Sequence, residues 1–196
     1  MTVSPTLQKY LDQSVTYDLI PHVPTMSSTR TAEACHVPGE ALAKAVVLRR
    51  DGGYMMAVLP ASRHLHLSAL KSQLGHKVDL ASEDEIERLF EDCDRGAVPP
   101  LGECYGLDVI IDDSIDARRH VYMEGGDHAT LIRMEGPQFA RLTAKAWRGH
   151  FSTHDCGRSC RAGAVERLQA GRPAPVHGRT GAIRSRRFDR NRPPLQ

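Results

Sequence analysis

Residues 45–59 read Ala-Val-Val-Leu-Arg-Arg-Asp-Gly-Gly-Tyr-Met-Met-Ala-Val-Leu, and this stretch decides the class of fold. Two runs rich in β-forming residues, 45–48 and 54–59, flank the turn sequence Asp51-Gly52-Gly53. Asp-Gly between two such runs is a strong hairpin signal because both turn residues tolerate the required backbone angles. The pattern therefore predicts an antiparallel strand pair here.

Helical and extended patterns are interspersed on both sides of this hairpin. They predict a helix that begins at Pro5, a strand over 15–20, a short helix that Thr29 or Thr31 caps, helices over 67–74, 82–93 and 137–147, and strands over 105–112, 120–123 and 130–134. Strict alternation is lacking, which favours an α+β domain over a doubly wound one. We expect a mixed, largely antiparallel sheet with flanking helices.

Length and composition limit the class of protein. The chain has 196 residues, of which 40% are hydrophobic and 26% are charged, so it can form one ordinary domain with an appendage. No run of about eighteen apolar residues and no leader pattern is visible. Five cysteines are an odd number in a chain long enough to fold without disulfides. We therefore expect a soluble, cytoplasmic protein with reduced thiols and no membrane partner.

The formal net charge of +2 hides two unlike parts. Residues 155–196 hold ten arginines, no lysine and three acidic residues, a net charge of +7, which leaves −5 for residues 1–154. The basic part has few large apolar groups and cannot offset its ordering entropy. We predict a folded domain over 1–154 and a disordered tail over 155–196. The tail is either an electrostatic arm for nucleic acid or an incidental extension.

Lys44 is the first candidate functional residue. A strand that begins here places Lys44 on the same face as Val46 and Leu48, among core residues. The ammonium either snorkels to water or reaches into a pocket as a fixed cation for an anionic or carbonyl group.

The loop from Gly96 to Pro100 is the second candidate. Pro99 and Pro100 lack N–H groups and stiffen the backbone, while Gly96 permits unusual angles. The amides of Gly96, Ala97 and Val98 are then free to converge on one point, as in sites for carboxylates, phosphates or developing oxyanions. A plain structural turn uses the same residue types.

Histidines and cysteines give weaker signals. His22 and His128 lie where loops meet predicted strand ends, where both active-site and capping residues are found. Four ligand-type residues near the tail allow either a zinc site or an unstructured segment: His150, His154, Cys156 and Cys160. No catalytic triad, nucleophile elbow or nucleotide-binding glycine motif is present.

Five blocks of sequence follow one another in this order: His22 to Thr25, Thr31 to Ala34, Leu42 to Leu48, Asp92 to Gly102 and Gly125 to His128. Together they resemble the YbaK/prolyl-tRNA synthetase-associated editing domain family. The lysine at the start of a strand and the Gly-x-x-x-Pro loop are the most characteristic pair. The resemblance runs from about residue 5 to about residue 154.

The resemblance implies roles for individual residues. Lys44 would hold the terminal adenosine or the aminoacyl carbonyl. The loop framed by Gly96 and Pro100, with Ala97 and Val98 between them, would orient the aminoacyl group and the attacking water. Two histidines and a threonine would line the pocket or its entrance: His22, Thr25 and His128.

The resemblance also implies an activity. A member of this family would act in trans as an aminoacyl-tRNA deacylase on mischarged tRNA carrying a small amino acid, with no metal, no cofactor and no side-chain nucleophile. A synthetase is a possible second partner. The alternative is a non-catalytic module that binds an aminoacyl or nucleotide ligand in association with tRNA or a synthetase.

Overall fold

The computed structural model describes residues 3–154. Its helices are α1 (Pro5–Asp12), α2 (Ser28–Ala34), α3 (Leu67–Leu74), α4 (Glu83–Leu89) and α5 (Gly136–Leu142), with a 3-10 turn at Gly102–Tyr105. Its strands are β1 (Asp18–Pro21), β2 (Leu42–Arg50), β3 (Gly53–Pro60), β4 (Arg63–Leu65), β5 (Val78–Leu80), β6 (Asp108–Asp112), β7 (His120–Glu124), β8 (Thr130–Glu135), β9 (Trp147–Gly149) and β10 (Ser152–His154).

Eight strands form one mixed sheet in the order β1-β8-β7-β2-β3-β6-β9, with β5 beside the far end of β2. The predicted hairpin is confirmed: β2 and β3 are antiparallel, with Arg50 opposite Gly53 at the turn. β2 also pairs in parallel with β7, and β3 with β6. β4 and β10 form a separate antiparallel pair. The α+β class with a mixed sheet is therefore confirmed.

β3 is buried on both faces, which explains its unbroken apolar sequence. Met56 and Val58 point into one hydrophobic cluster, together with side chains from α1, β6 and β7. Met55, Ala57 and Leu59 point into a second cluster with residues from α3. The central hairpin thus joins two cores, and the loops at its edge are held by a rigid sheet.

The predicted helix over 137–147 is wrong in its second half. α5 ends at Leu142, where the Thr143 hydroxyl donates to the carbonyl oxygen of Phe139 at 2.8 Å. Trp147 instead begins β9 and pairs with Ile110 of β6. Pairing with a neighbouring strand overrides the helical propensity of the intervening residues.

Other boundaries shift by a few residues. The cap of α2 is Ser27, whose hydroxyl accepts from the amide of Arg30, rather than Thr29 or Thr31. The predicted helix over 82–93 is shorter, although its capping box of Ser82 and Glu85 is present. Four strands of three residues each escaped prediction because they are too short to show a period: β4, β5, β9 and β10.

None of the described helices has the length and apolar character needed to cross a bilayer. The predicted disordered tail over 155–196 lies outside the described residues.

Candidate functional site

Lys44 and Glu124 occupy corresponding positions on β2 and β7, directly after the parallel pairing of these strands stops. The last paired residues are Ala43 and Met123, and Lys44 and Glu124 follow them on the two strands. Residues at equal register in neighbouring strands share a face of the sheet. The sheet therefore brings a cation and a carboxyl to one place.

The Lys44 side chain is half-buried. Its Nζ donates a hydrogen bond to the carbonyl oxygen of Ala61 at 3.1 Å. Burial lowers the pKa of Lys44 below its ordinary value. An ammonium group has three N–H donors, so this bond fixes the head group and leaves donors for a ligand.

The loop that begins at Gly96 differs in one respect from the prediction. The N–H of Ala97 donates to the carbonyl oxygen of Asp94 at 3.0 Å, and Ala97 is fully buried, so this amide is not free. The N–H groups of Gly96 and Val98 have no acceptor among residues 3–154. Two of the three predicted amides therefore remain for an anionic or carbonyl oxygen.

His128 contacts the same loop through a hydrogen bond and through packing against Gly96. Its Nε2 donates to the carbonyl oxygen of Arg95 at 2.7 Å, which places the ring proton on Nε2. Gly96 has a left-handed φ of +87°, and a Cβ added there would lie 3.6 Å from Cε1 of His128. The imidazole of His128 thus packs against Gly96, the first residue of the loop.

His22 and Thr25 lie on a loop that is tied to the His128 segment. The N–H of His22 donates to the carbonyl oxygen of Ala129 at 2.8 Å, and that of Thr25 donates to the carbonyl oxygen of His128 at 3.2 Å. The Thr25 hydroxyl is buried and lies 2.6 Å from the hydroxyl of Thr31. Both predicted residues therefore stand close to the site.

Glu124 is the residue that sequence reasoning missed. It is only 6% exposed, and its Oε1 accepts a hydrogen bond from the Thr31 hydroxyl at 2.6 Å. Burial raises the pKa of Glu124, and the Thr31 hydrogen bond and the charges of His22 and His128 act in the opposite direction. The available signal was an acidic residue that closes an apolar strand directly before a Gly-Gly turn.

These groups surround a cavity of about 300 Å³, which we call the Lys44 cavity. Of the predicted site residues, Lys44, Gly96 and Val98 line it. Its full lining is Ser28, Lys44, Ala45, Val46, Val47, Leu80, Ala81, Glu83, Ile86, Gly96, Val98 and Glu124. The other predicted residues stand outside this lining: His22, Thr25, Ala97, Pro100 and His128.

A hydrogen-bond network centred on Asp92 anchors the loops around the cavity. Asp92 accepts from the Ser4 hydroxyl at 2.6 Å and from the Tyr105 hydroxyl at 3.1 Å. These bonds and that from the amide of Thr6 lower the pKa of Asp92 to about 2, against the effect of burial. The N–H of Ser4 also donates to the carbonyl oxygen of Gly125 at 2.8 Å. The start of the chain therefore fastens two loops of the site together.

A larger cavity of about 490 Å³ lies elsewhere, between α1, β6, α5 and β9, and we call it the Glu103 cavity. None of the predicted site residues lines it. Both carboxyl oxygens of Glu103 are buried without a hydrogen-bond partner in the described part of the chain. Burial raises the pKa of Glu103 to about 7, and Arg148 and Lys145 act in the opposite direction. The larger volume of the Glu103 cavity is not enough to make it the candidate site. The Lys44 cavity is favoured because a cation, two amides and a carboxyl belong to its lining.

The zinc alternative gains no support from the described region. Within residues 3–154, no group of three or more His, Cys, Asp or Glu side chains is arranged to hold a metal ion. His154 instead lies 3.5 Å from the carboxyl of Glu40. Cys156 and Cys160 lie outside the described residues.

A family model for the aminoacyl-tRNA editing domain matches residues 22–142. This span contains the whole lining of the Lys44 cavity and all eight predicted site residues. The chain belongs to the aminoacyl-tRNA editing domain family, which confirms the resemblance drawn from the sequence.

Solved structures share the fold. A hypothetical protein superposes with a TM-score of 0.68 at 21% identity, covering 76% of this chain and 99% of that one. A candidate trans-editing enzyme for prolyl tRNA synthetase superposes with a TM-score of 0.68 at 20% identity, covering 78% and 99%. A candidate signal transduction protein from Marinobacter aquaeolei VT8 gives 0.61 at 24% identity, covering 75% of this chain and 30% of that one. Among curated proteins, none matched.

Proposed function

We propose that this protein is an aminoacyl-tRNA deacylase that acts in trans on mischarged tRNA carrying a small amino acid. The observation that carries the proposal is the Lys44 cavity: a cation, two unengaged amides and a carboxyl around about 300 Å³, inside the span that matches the editing family. Such a set of groups suits an aminoacyl ester, which carries a polar carbonyl, a small side chain and an amine.

The hydrogen-bond donors of the cavity act on the ester carbonyl. As water attacks the carbonyl carbon, negative charge develops on the carbonyl oxygen, and the N–H groups of Gly96 and Val98 are suited to stabilise it. The Lys44 ammonium, which donates to the carbonyl oxygen of Ala61, would add a positive charge in the lining of the same cavity. Preorganised donors of this kind need no reorganisation when the charge appears.

Atoms balance without a side-chain nucleophile. The water oxygen bonds to the carbonyl carbon, the bond from that carbon to the ribose oxygen breaks, and one water proton passes to the ribose oxygen. A hydroxyl of the terminal ribose would relay that proton, and the products are a free amino acid and a free tRNA 3′ end. The protein contributes orientation and charge stabilisation, each of which can supply several kcal/mol.

Selectivity for small side chains follows from the walls of the cavity. Ala45, Val46 and Ile86 are aliphatic, and the cavity volume of about 300 Å³ is at the low end for ligand sites. A hydrophobic pocket separates side chains that differ by one methylene by only about 1–3 kcal/mol, so exclusion by size must do most of the sorting. The cavity would therefore reject larger cognate residues.

The remaining predicted residues would support this site. His128, to which the loop of His22 and Thr25 is hydrogen-bonded, would hold the Gly96 loop in position through its bond to Arg95. Pro100 and Ala97 would fix the shape of that loop. Residues 155–196 would supply electrostatic attraction to tRNA, since their net charge of +7 contrasts with the −5 of the rest of the chain. A synthetase partner and action in the cytoplasm, where tRNA is charged, complete the proposal.

The decisive experiment is an assay of purified protein on a panel of mischarged tRNAs. We expect turnover of at least one tRNA that carries a small amino acid, and a loss of about 100-fold in kcat/KM for Lys44→Ala, comparable with removal of one oxyanion-hole donor. Lys77→Ala is the matched control, because Lys77 is exposed and does not line the Lys44 cavity, and it should behave as the parent. Binding of tRNA without turnover of any panel member would instead support the non-catalytic binding module.

A further inference from the structure

One carboxyl oxygen of Glu124 accepts a hydrogen bond, and the other has no hydrogen-bond partner among the described residues. Oε1 accepts from Thr31, whereas Oε2 is buried and has no hydrogen-bond partner among the described residues. A buried acceptor without a donor costs about 1–3 kcal/mol, so a native protein that keeps one normally has a reason for it.

The orientation of this carboxyl is fixed by a chain of hydroxyl groups. The Thr31 hydroxyl has one proton, which it directs to Oε1 of Glu124 at 2.6 Å and, at the longer distance of 3.1 Å, to the carbonyl oxygen of Ser27. The Thr25 hydroxyl, 2.6 Å from that of Thr31, must then be the donor in their contact. The relay from Thr25 through Thr31 therefore holds Oε1 in place and sets the direction of Oε2.

The hydrogen-bonding groups of the Lys44 cavity indicate which ligand group could donate to Oε2 of Glu124. Three residues of the lining have donors to spare, the amides of Gly96 and Val98 and the Lys44 ammonium, and such donors match oxygen acceptors. An aminoacyl ester carries one strong donor group, its α-ammonium, and Glu124 is the buried carboxyl in the cavity wall. Glu83, the other acidic residue of the lining, is 59% exposed and lies 3.7 Å from Arg95.

We propose that Glu124 binds the α-ammonium group of the aminoacyl ester through Oε2. This inference rests on the proposed function and names the contact that fixes the amino-acid end of the substrate. A cation at this point completes the hydrogen bonding of the carboxylate and replaces the solvation that it loses by burial. Together with the amides of Gly96 and Val98, this contact would hold the ester at two points.

The contact has a consequence for substrate range. An acylated α-amine carries no charge and has one N–H in place of three, so it cannot replace the ammonium at a buried carboxylate. The site would thus accept aminoacyl esters with a free amine and reject N-blocked ones, which include tRNA esterified with a peptide or an N-acylated residue.

The test is a binding measurement that does not need turnover. The probes are 3′-(alanylamino)-3′-deoxyadenosine, in which an amide replaces the scissile ester, and the same compound acetylated on its α-amine. Calorimetry on the full chain should show the free amine binding about 10- to 100-fold more tightly, in the range of a buried charged contact. Glu124→Gln, close in shape but uncharged, should lower affinity for the free amine by that factor and leave the acetylated probe unchanged.

Control variants separate binding from folding. Glu91→Gln changes an exposed carboxyl outside the cavity and should retain the parental preference. Glu124→Asp keeps a carboxylate and should retain part of it. The proposal is overturned if Glu124→Gln keeps the parental preference for the free amine, if it weakens both probes equally, or if the parent binds both equally or neither. Failure of deacylation with an intact amine preference would count against the proposed function alone.

Discussion

Glu124 and Glu103 are both carboxyls whose burial raises the pKa, yet their surroundings differ. Glu124 has one oxygen held by Thr31 and lies among loops that converge on a small cavity. Glu103 has neither oxygen held and lies in the wall of the larger cavity. A carboxyl whose direction is set by a neighbour is suited to recognise a ligand, whereas one without such a contact mainly makes stability depend on pH.

Gly96→Ala should have the largest effect on the Lys44 cavity. The left-handed φ of +87° strains any side chain, and relief of that strain would change the backbone angles that set the directions of the Gly96 and Val98 amides. We expect a loss of about 100-fold in kcat/KM and of about 1 kcal/mol in the free energy of unfolding. Gly52→Ala, at φ +85° with nothing within 4 Å, should lose similar stability but keep full activity in the same assays.

Glu103→Gln should change stability without changing activity. The pKa of Glu103 rises from an ordinary 4.5 to about 7 in the folded protein, so this group stabilises the fold while protonated and loses that contribution as pH rises through 7. Between pH 4.5 and about 8, the parent should lose on the order of 2 kcal/mol relative to the variant. Urea unfolding of both proteins across this range measures the difference. A difference that does not change with pH, or a loss of deacylation, would contradict the contrast with Glu124.

Thr31→Val should weaken the contact that distinguishes Glu124. The substitution keeps the shape of the side chain but removes the donor to Oε1 and the acceptor for Thr25, so the carboxylate loses its fixed direction. We expect the preference for a free α-amine to fall about tenfold, close to the value of one hydrogen bond to a charged group. Thr29→Val, at an exposed position of α2, is the control. An unchanged preference in Thr31→Val would show that Glu124 does not need its neighbour.

Removal of residues 155–196 should have the smallest effect. If this basic segment attracts phosphates, affinity for tRNA falls several-fold at low salt and the dependence of affinity on salt becomes shallower. The rate of hydrolysis at saturating tRNA should stay the same, because the Lys44 cavity lies within residues 28–124. Filter binding over a range of salt concentrations checks this, and equal affinities at every salt concentration would refute the role of the arm.

Local signals were enough to predict the fold class, whereas the choice of Lys44 and the Gly96 loop as site elements came from the family resemblance. The Asp51-Gly52-Gly53 turn fixed the central hairpin, and Lys44 and Gly96 proved to line one cavity although 52 positions separate them in the sequence. The acidic residue before the Gly125-Gly126 turn was visible in the sequence, but its place in the lining of the Lys44 cavity depends on the parallel pairing of β2 with β7. The engaged amide of Ala97 likewise depends on a turn with Asp94 that residue types alone do not specify.

The position of Ser4 has a consequence for the order of folding. Its backbone and hydroxyl fasten the segment at Asp92 to the segment at Gly125, so the cavity is fully framed only when all three are in place. Ser4 is synthesised more than a hundred residues before Gly125. Contacts across such long sequence separations form late because loop closure must come first. A newly made chain should therefore acquire its local β2–β3 hairpin before it acquires a working site.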